Sequence, residues 1–437
     1  MYIGKKKVMP VFRHIIYKEK QPAPNGEFYL KVFDFYGNEL ISKRLNNGDV
    51  FVLPDPIEDD KLEFQEWSST EQIIDGKITI DNNNVLIGAI GTPKSGLSEF
   101  DIETNKNTGN LVTCKMVGNK NWGDGTIDDS TSHEYAEYGK YTITCDGNAL
   151  TALMFNSNGS SGNVAVNVLK RVRISDIVTT KATGNYIFGY SRSLESITFP
   201  KNFVFESQYG LYETSINCLI LPSISTKVAQ GCCSGCKSML FALIPYGATY
   251  PTYQTSFYEC NSMTYFVAPN TVMSNVSYAN DFQGFYGVDE FVFNGNKIYI
   301  SSWRSLRKLT LSENLTNLYI NGENNLEIIE FPPNSNLSQQ LSFYSSRLKK
   351  IKLPKTIGVK LSSTINNNTN PSLEIIDFSL VESIPTLSSS SGLVVSPKPF
   401  LKIVVPDALY DEWIVATNWS VQAQYIYKAS EVELWLN

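Results

Sequence analysis

The sequence predicts a mainly β fold of the solenoid class, in which short copies stack along one axis. A phrase of the form Leu-x-x-Ile-x-Leu-Pro recurs down the last two-thirds of the chain, and four clear copies begin at Leu194, Ile216, Leu326 and Leu348. About twelve such copies begin on average about 23 residues apart. Self-similarity at a period of roughly 20–50 residues is typical of repeat architectures. Because solenoids mostly work by binding, the phrase predicts the fold and the class of function together.

Each copy is expected to form one short strand. The first, fourth and sixth residues of the phrase point into a core that neighbouring copies share, since no copy can bury that face alone. The spacing is close to that of leucine-rich repeats. The copies at Val288 and Leu306 are short and lack the proline. The first apolar residues of the copies are Leu150, Leu169, Leu194, Ile216, Met239, Met263, Val288, Leu306, Leu326, Leu348, Leu373 and Phe400.

A second phrase, of the form aromatic-Gly/Glu-Cys/Tyr-x-Ser, precedes several of these copies. Examples are Phe188-Gly-Tyr-Ser-Arg-Ser193, Cys233-Ser-Gly-Cys-Lys-Ser238 and Phe257-Tyr-Glu-Cys-Asn-Ser262. The two phrases in this order resemble the BspA-type leucine-rich repeats of bacterial surface antigens, over about 150–437. The resemblance implies a leucine-rich ribbon that serves recognition or adhesion on a surface.

The C-terminal end predicts a cap for the solenoid. Leu409, Trp413 and Ile414 recur at helical spacing behind Asp407, which can cap a helix start. We therefore expect a helix over 407–417 within a cap at 407–437. Such a cap stops edge-to-edge polymerisation of a repeat array, and the repeat domain as a whole is predicted at 149–437.

Residues 26–91 lack the repeat phrase and read as alternating strands. The order Gly48-Asp-Val-x-x-Leu53, then Phe64-x-x-Trp67, then Ile78-x-Ile80 resembles the Listeria–Bacteroides repeat, a small β-grasp-like module of surface proteins. The resemblance implies a spacer or interaction module with no catalytic residues. Residues 1–25 are predicted to be a solvated N-terminal arm.

Residues 92–148 carry a more specific phrase. It reads Trp122-Gly-Asp-Gly-Thr126, then His133-Glu-Tyr135, then Gly139-Lys-Tyr-Thr-Ile143, and it resembles the polycystic-kidney-disease-type (PKD) immunoglobulin-like domain. The pattern implies a β-sandwich in which Cys114 and Cys145 lie on strands of the two sheets. A disulfide between them and two reduced core thiols both stay open. The two N-terminal modules together are expected to act as a stalk or attachment.

Composition and charge limit the possible functions. The chain has 437 residues, a net charge of −6 and a pI near 5.3, which argue against a general nucleic-acid binder. It has no apolar run long enough to span a membrane, and its start lacks the apolar region of a signal peptide. We expect an extracellular protein without membrane insertion. Two routes outside stay open: a phage or prophage particle, or a bacterial surface protein with no recognisable export signal.

The sequence contains few residues in patterns typical of catalysis or of metal binding. The only two histidines, His14 and His133, have no catalytic motif around them, and no phosphate-binding loop or HExxH motif is present. We therefore predict no enzyme activity, no cofactor and no metal. Cys236 and Cys260, at equivalent repeat positions, are expected to stack as buried core residues. The alternative function is a parallel β-helix polysaccharide depolymerase that acts through paired carboxylates.

The outward face of the predicted ribbon is unusually apolar in its middle copies. The third and fifth residues of each phrase point away from the core, because side chains alternate along a strand. A contiguous exposed apolar patch often marks an interface, so we predict a partner-binding face here. Its predicted residues are six apolar side chains and three flanking lysines: Ile220, Phe241, Leu243, Tyr265, Val267, Val292, Lys308, Lys350 and Lys352.

The predicted partner is a protein or glycan on a cell surface, or another virion subunit, and the apolar patch is also a candidate homo-oligomer contact. Under this hypothesis, Phe241→Ser and Tyr265→Ser abolish binding or oligomerisation without unfolding the array. The alternative is that the N-terminal modules or another subunit cover the patch for structural reasons alone.

Overall fold

The computed structural model describes most of the chain beyond the N-terminal arm. None of the helices in this part is both long and apolar enough to cross a membrane. The predicted arm at 1–25 lies outside the described residues. The described residues are 27–155, 167–178, 185–225, 228–248, 256–267, 285–293, 297–301, 303–322, 324–338, 341–345, 347–358, 361, 365, 370–388, 393 and 401–432.

The first part of the chain, which we call the N-terminal module, spans 27–93. Its strands are β1 Phe28–Phe33, β2 Glu39–Leu45, β3 Val50–Val52, β4 Leu62–Ser69, β5 Lys77–Thr79 and β6 Val85–Pro93. Four of them form a sheet in the order β2-β1-β6-β4, while β3 and β5 pair as a separate two-stranded antiparallel sheet. Strands β1 and β6 run parallel at the centre of the sheet.

The next strands connect directly to the solenoid. They are β7 Ser98–Glu103, β8 Leu111–Thr113, β9 Lys120–Asn121, β10 Ile127–Asp128, β11 Ser132–Glu134 and β12 Lys140–Cys145. Strand β7 pairs antiparallel with β12 on one side. On its other side it pairs with the first solenoid strand, residues 169–173, so one sheet continues from this region into the repeats.

Parallel strands build the solenoid. In chain order they are β13 Leu169–Arg173, β14 Ser196–Thr198, β15 Cys218–Ile220, β16 Phe241–Leu243, β17 Tyr265–Phe266, β18 Glu290–Phe293, β19 Lys297–Ser301, β20 Lys308–Leu311, β21 Asn317–Asn321, β22 Ile328–Glu330, β23 Asn336–Leu337, β24 Leu341–Tyr344, β25 Lys350–Lys352, β26 Thr356–Ile357, β27 Ile375–Asp377, β28 Lys402–Val405 and β29 Ile426–Lys428.

One strand from each repeat forms the ribbon, and its register follows the sequence period. Cys218 pairs with Phe241, and Lys350 pairs with Ile375, which in turn pairs with Lys402. Each of these residues is the third of its copy, so the sequence spacing determines which residues stand side by side. The predicted solenoid of stacked leucine-rich repeats is confirmed.

The copy predicted at Leu150 forms no strand. Leu150 is buried, but the residues after it, up to 155, form turns. The place beside β13, where a strand of this copy would lie, is occupied by β7, which pairs with β13 in the antiparallel direction. The ribbon therefore begins at β13, and the preceding β region closes that edge.

The later repeats add a second parallel ladder that the sequence did not predict. Strands β19, β21 and β24 pair in that order, and β23 pairs with β26. Ile298, Leu318 and Leu341 lie side by side in this ladder and are all buried. The short copies at Val288 and Leu306 therefore return through strands, whereas the described parts of the earlier returns consist mainly of turns.

Cysteine side chains line the turn side of the earlier repeats. Cys236 Sγ lies 3.0 Å from the carbonyl oxygen of Leu211, and Cys260 Sγ lies 3.2 Å from that of Cys233. Each thiol thus donates to the preceding coil, in a buried stack such as the sequence predicted. Cys114 and Cys145 are also buried and free rather than disulfide-bonded.

The α-helix in the C-terminal cap is shorter than the predicted helix over 407–417. A 3₁₀ turn at Asp407–Leu409 leads into α1 at Tyr410–Trp413, and two more 3₁₀ turns occupy Ser420–Tyr425 and Ala429–Glu431. The Asp407 carboxylate makes no capping hydrogen bond and instead accepts one from the Ser430 backbone N–H at 3.1 Å. Buried Trp413 packs on Trp419 and Phe378, so the cap is held by aromatic contacts.

Candidate binding surface

The predicted apolar patch is buried within the protein. The sheet of the N-terminal module lies across the ribbon at β15–β17 and buries its outward side chains, with Phe241 2% and Leu243 0% exposed. The prediction of an exposed binding face at these residues is therefore wrong, and the alternative, a cover by an N-terminal module, describes the structure. The cluster contains Tyr29, Phe33, Leu86, Ile90, Cys218, Ile220, Phe241, Leu243 and Val267, with Tyr265 at its margin.

Close contacts show that the two surfaces fit each other. The rings of Phe33 and Phe241 stack with centroids 4.0 Å apart and planes 21° apart. A Cβ added to Gly88 would lie 2.7 Å from Cγ2 of Ile220, so glycine is needed for β6 to approach the ribbon this closely. The remaining apolar member of the patch, Val292, is buried against the module's own core.

A polar frame surrounds this apolar contact. Arg44 of the module and Glu290 of the ribbon form a two-point ion pair, with N–O distances of 2.8 and 2.9 Å. The Ser68 hydroxyl donates to the Leu221 carbonyl at 2.6 Å, and both the N–H and the hydroxyl of Ser223 donate to the Glu66 carboxylate. Arg44 lies on β2 and Ser68 on β4, the two edge strands of the module's sheet. The contacts therefore fix the position of the sheet along the ribbon.

The sequence did contain a signal for this arrangement. Strands β1 and β6 are buried along their whole length, and their sequences, Phe28–Phe33 and Val85–Pro93, are nearly continuous apolar runs. A strand of a half-exposed sheet alternates apolar and polar residues, whereas continuous runs indicate burial on both faces. The runs predict a cover over the second face of this sheet but not which part of the chain supplies it.

The same arrangement changes the role expected for the N-terminal module. A stalk or attachment module would stand clear of the repeats, but residues of β1 and β6 pack directly on the ribbon. The single substitutions Phe241→Ser and Tyr265→Ser would therefore act on the interface between the N-terminal module and the ribbon. We expect them to destabilise the docked module, and the prediction that they act only on a partner no longer holds.

The three predicted lysines differ in their surroundings. Lys308 on β20 is exposed and Lys352 on β25 is half-buried. Lys350 is 7% exposed, and its Nζ lies 3.4 Å from Glu330 Oε1. Lys308 and Lys352 therefore remain available to a partner, whereas Lys350 is largely occupied by a contact between neighbouring strands.

A section of the described ribbon lies uncovered between two covered stretches, and we call it the open ribbon. Its outward side chains lie on β20, β22 and β25, where Ile328 is 51% exposed. On one side of it the N-terminal module covers β15–β17. On the other side Val432 packs over Ile375 and Val404. The residues of the open ribbon are Lys308, Thr310, Ile328, Glu330 and Lys352.

The phrase that resembles a PKD-type domain, which begins at Trp122, has a structural role. The Trp122 indole N–H donates to the Asp128 carboxylate at 3.0 Å, and the Tyr135 hydroxyl donates to the Trp122 carbonyl at 2.7 Å. The Thr126 backbone N–H, together with His133, holds the pKa of the Asp124 carboxyl below its usual value. These side chains tie together the β9–β10 turn. Within the described ranges, no group of three acidic, His or Cys residues is arranged to hold a metal ion.

The parallel ribbon, with one strand from each repeat and a shared core, defines a leucine-rich-repeat solenoid. Residues 167–284 and 252–371 match the family described as BspA type leucine rich repeat region. The central part of this chain, 167–371, is therefore similar to BspA-type leucine-rich repeats. No curated protein matches the sequence.

Two solved structures are similar in part. A leucine-rich repeat protein from Bacteroides ovatus is 15% identical, with 67% of this chain and 79% of that one covered and a TM-score of 0.43. A leucine rich cell surface protein from Faecalibacterium prausnitzii is 17% identical, with 49% of this chain and 74% of that one covered and a TM-score of 0.23.

Proposed function

We propose that this chain is a non-enzymatic recognition or adhesion protein that acts outside the cell. It would work on a bacterial surface or as part of a phage or prophage particle. The repeat type supports a recognition role, because a leucine-rich ribbon presents one row of side chains per repeat on a rigid support. No observation on the described residues favours the polysaccharide-depolymerase alternative.

The open ribbon carries the proposal. The ribbon is covered at β15–β17 by the module and towards its C-terminal end by Val432, and the open ribbon between these covers is accessible to a partner. They combine an exposed apolar residue, Ile328, with the cation of Lys308 and the carboxylate of Glu330. An apolar centre with a charged rim is the usual composition of a protein-binding surface, and we propose a protein or glycan partner here.

The two regions before the repeats complete the proposal. We propose that 26–91 and 92–148 are modules of the Listeria–Bacteroides-repeat and PKD types, as their sequence phrases suggest. In this arrangement the first module covers the ribbon and the second closes the edge of the first repeat. The partner would then meet the repeats through the open ribbon.

The test measures binding of the labelled full-length chain to a panel of purified extracellular-matrix proteins and glycans. Lys308→Glu and Ile328→Ser alter the open ribbon at exposed positions, and Lys106→Glu makes the same charge change in a distant exposed turn. We expect each ribbon variant to weaken binding at least about tenfold, on the order of 1.4 kcal/mol, with Lys106→Glu unchanged. Equal binding by all four proteins, or no binding by the unaltered chain, would contradict the proposal.

A further inference from the structure

A cleft of about 350 Å³ opens where three parts of the chain meet. Lys61, which directly precedes β4, comes from the N-terminal module, and Lys140 comes from β12. Arg171 comes from β13, the first strand of the ribbon. We call this the junction cleft. It shares no residue with the open ribbon, and each of its walls belongs to a different region of the sequence.

The floor of the junction cleft is the polar face of a sheet. Thr142 of β12 lies beside Asp101 of β7, which in turn lies beside Arg171 of β13. The residues one step along β7 and β13, Phe100 and Val172, also lie side by side and are buried in the core. Because side chains alternate along a strand, the charged residues collect on one face of the sheet and the apolar residues on the other. The strand register therefore fixes where the charged side chains of the cleft leave the sheet.

A buried ion-pair network holds this floor together. Arg173 is 3% exposed, and its Nε donates to the Glu99 carboxylate at 2.7 Å. Its two terminal nitrogens donate to the two oxygens of the Asp101 carboxylate at 2.9 and 2.7 Å. The Thr142 hydroxyl donates to the same carboxylate at 2.9 Å. These two carboxylates are therefore already matched by Arg173 and do not need the cations at the rim of the cleft.

Three cations at the rim carry charge that no described carboxylate balances. Lys61, Lys140 and Arg171 are exposed, and within the part of the chain that the structure describes their side chains form no ion pair. Lys170, by contrast, lies 3.6 Å from the Glu103 carboxylate. The rim therefore presents three exposed cations from three parts of the chain to whatever enters the cleft.

The charge of the lining selects the class of ligand. The lining contains five cationic and three acidic side chains, whereas the whole chain has a net charge of −6. Of these three acidic residues, Glu195 is the one that forms no ion pair among the described residues. The Asp59 carboxylate beside the cleft accepts hydrogen bonds from the backbone N–H groups of Lys61 and Leu62, both at 2.8 Å. A cationic ligand would be repelled by the rim and a neutral one would leave its cations unbalanced, so the lining favours an anion.

We propose that the junction cleft binds a small ligand that carries two or more oxyanion groups, such as carboxylate, sulfate or phosphate. The planar guanidinium of Arg171 donates two parallel hydrogen bonds to one such group, a geometry that lysine cannot supply. Lys61 and Lys140 balance the charge of a second group. The volume of the cleft lies near the lower end of the range for small-molecule sites, which fits a ligand of this size. The site is separate from the open ribbon, so it does not depend on the function proposed above.

Isothermal titration calorimetry on the full chain, at low and at physiological ionic strength, tests the site. The probes are inorganic pyrophosphate, a sulfated disaccharide and digalacturonate, with a neutral disaccharide as the uncharged control. Arg171→Gln removes the guanidinium, and Glu195→Gln removes an exposed carboxylate of the lining. Arg347→Gln is the matched control, because Arg347 is likewise exposed but lies outside the cleft.

We expect at least one anionic probe to bind and the neutral disaccharide not to bind. Arg171→Gln should weaken binding at least about tenfold, because paired hydrogen bonds between charged groups are lost. Glu195→Gln should strengthen binding about two- to fivefold by removing a like charge, and higher ionic strength should weaken it. Arg347→Gln and the ribbon variant Lys308→Glu should leave the affinity unchanged, which separates this site from the open ribbon.

The three anionic probes distinguish the sources of the oxyanion. Tighter binding of pyrophosphate indicates a free oxyanion, and tighter binding of either charged disaccharide indicates an oxyanion carried on a sugar. The proposal is overturned if no anionic probe binds or if the neutral disaccharide binds equally well. It is also overturned if Arg171→Gln binds as tightly as the unaltered chain, or if Arg347→Gln weakens binding as much as Arg171→Gln does.

Discussion

Docking of the N-terminal module on the ribbon depends on one glycine. Gly88 lies in β6, and a Cβ added there would lie 2.7 Å from Cγ2 and 3.0 Å from Cδ1 of Ile220, and 3.1 Å from Leu243. Real Cβ atoms are essentially never found closer than 3.0 Å to such atoms. Gly88 has no positive φ, so Gly88→Ala adds no backbone strain there, and its effect reports the contact between module and ribbon.

The expected cost follows from the burial of the clashing atoms. Ile220 is 5% exposed and Leu243 is fully buried, so neither side chain has free space to move into. Overpacking of a well-packed core by one or more methyl groups costs about 1–3 kcal/mol. Gly88→Ala should therefore lower the free energy of unfolding by about 1–3 kcal/mol. It should also speed hydrogen exchange in β15 and β16, because their outward faces lose part of their cover.

A double-mutant cycle in urea denaturation tests the reasoning. Ile220→Ala removes both clashing atoms of that side chain and alone costs about 2–5 kcal/mol. The added methyl of Gly88→Ala partly fills the space it leaves, so the double variant should be at least about 1 kcal/mol more stable than the sum of the two changes predicts. The control Gly358→Ala, whose added Cβ has its nearest neighbour at 3.6 Å, should be nearly neutral. Additive effects, or a Gly88→Ala variant as stable as Gly358→Ala, would refute the docked arrangement.

Two further predictions concern buried charges. Arg173 Nε lies 2.7 Å from Glu99, and its other nitrogens contact Asp101. Arg173→Met should therefore cost about 3–5 kcal/mol in urea denaturation by leaving the 6%-exposed Glu99 unpaired. Arg192→Met, at an exposed pair, should cost no more than about 1 kcal/mol, and equal losses would contradict this account. The pKa of Glu71 is raised from 4.5 to about 8, so its favourable contribution is complete below pH 4.5 and is lost as pH rises towards 8. Glu71→Gln should flatten the fall in unfolding free energy between these pH values, by up to a few kcal/mol at about 1.4 kcal/mol per pKa unit, and identical pH profiles would contradict the assignment.

Much of the repeat domain was predictable, because a solenoid is built from local periodicity. The spacing from Ile216 to Met239 gave the pairing of Cys218 with Phe241, and the same rule holds at Lys350 and Ile375. Each strand pairs with the next copy along the chain, so the sequence period is also the spatial register. The second ladder, β19–β21–β24, was not predictable in this way, because no recurring phrase was found in the sequence at these strands.

The candidate site was less predictable, since it depends on contacts between distant parts of the chain. The alternation along the ribbon correctly identified the outward side chains of β15–β17, but it could not show what lies against them. Strand β1 is far from Phe241 in sequence, and no periodic pattern connects the two. The cleft lined by Glu71 and Tyr246 is a stronger case, because these two residues come together only when the module is docked.

The sequence by itself determined the repeat unit, the inward and outward faces of the ribbon and the order in which its strands stack. These features depend on neighbouring copies and on the alternation of side chains, which are both local. The tertiary structure alone decided which outward residues are covered and which are free. An apolar surface is buried by whichever complementary surface the chain can bring to it, and here that surface is the N-terminal module. The surface that we propose for binding is consequently displaced from the apolar middle of the ribbon to Lys308, Ile328 and Lys352.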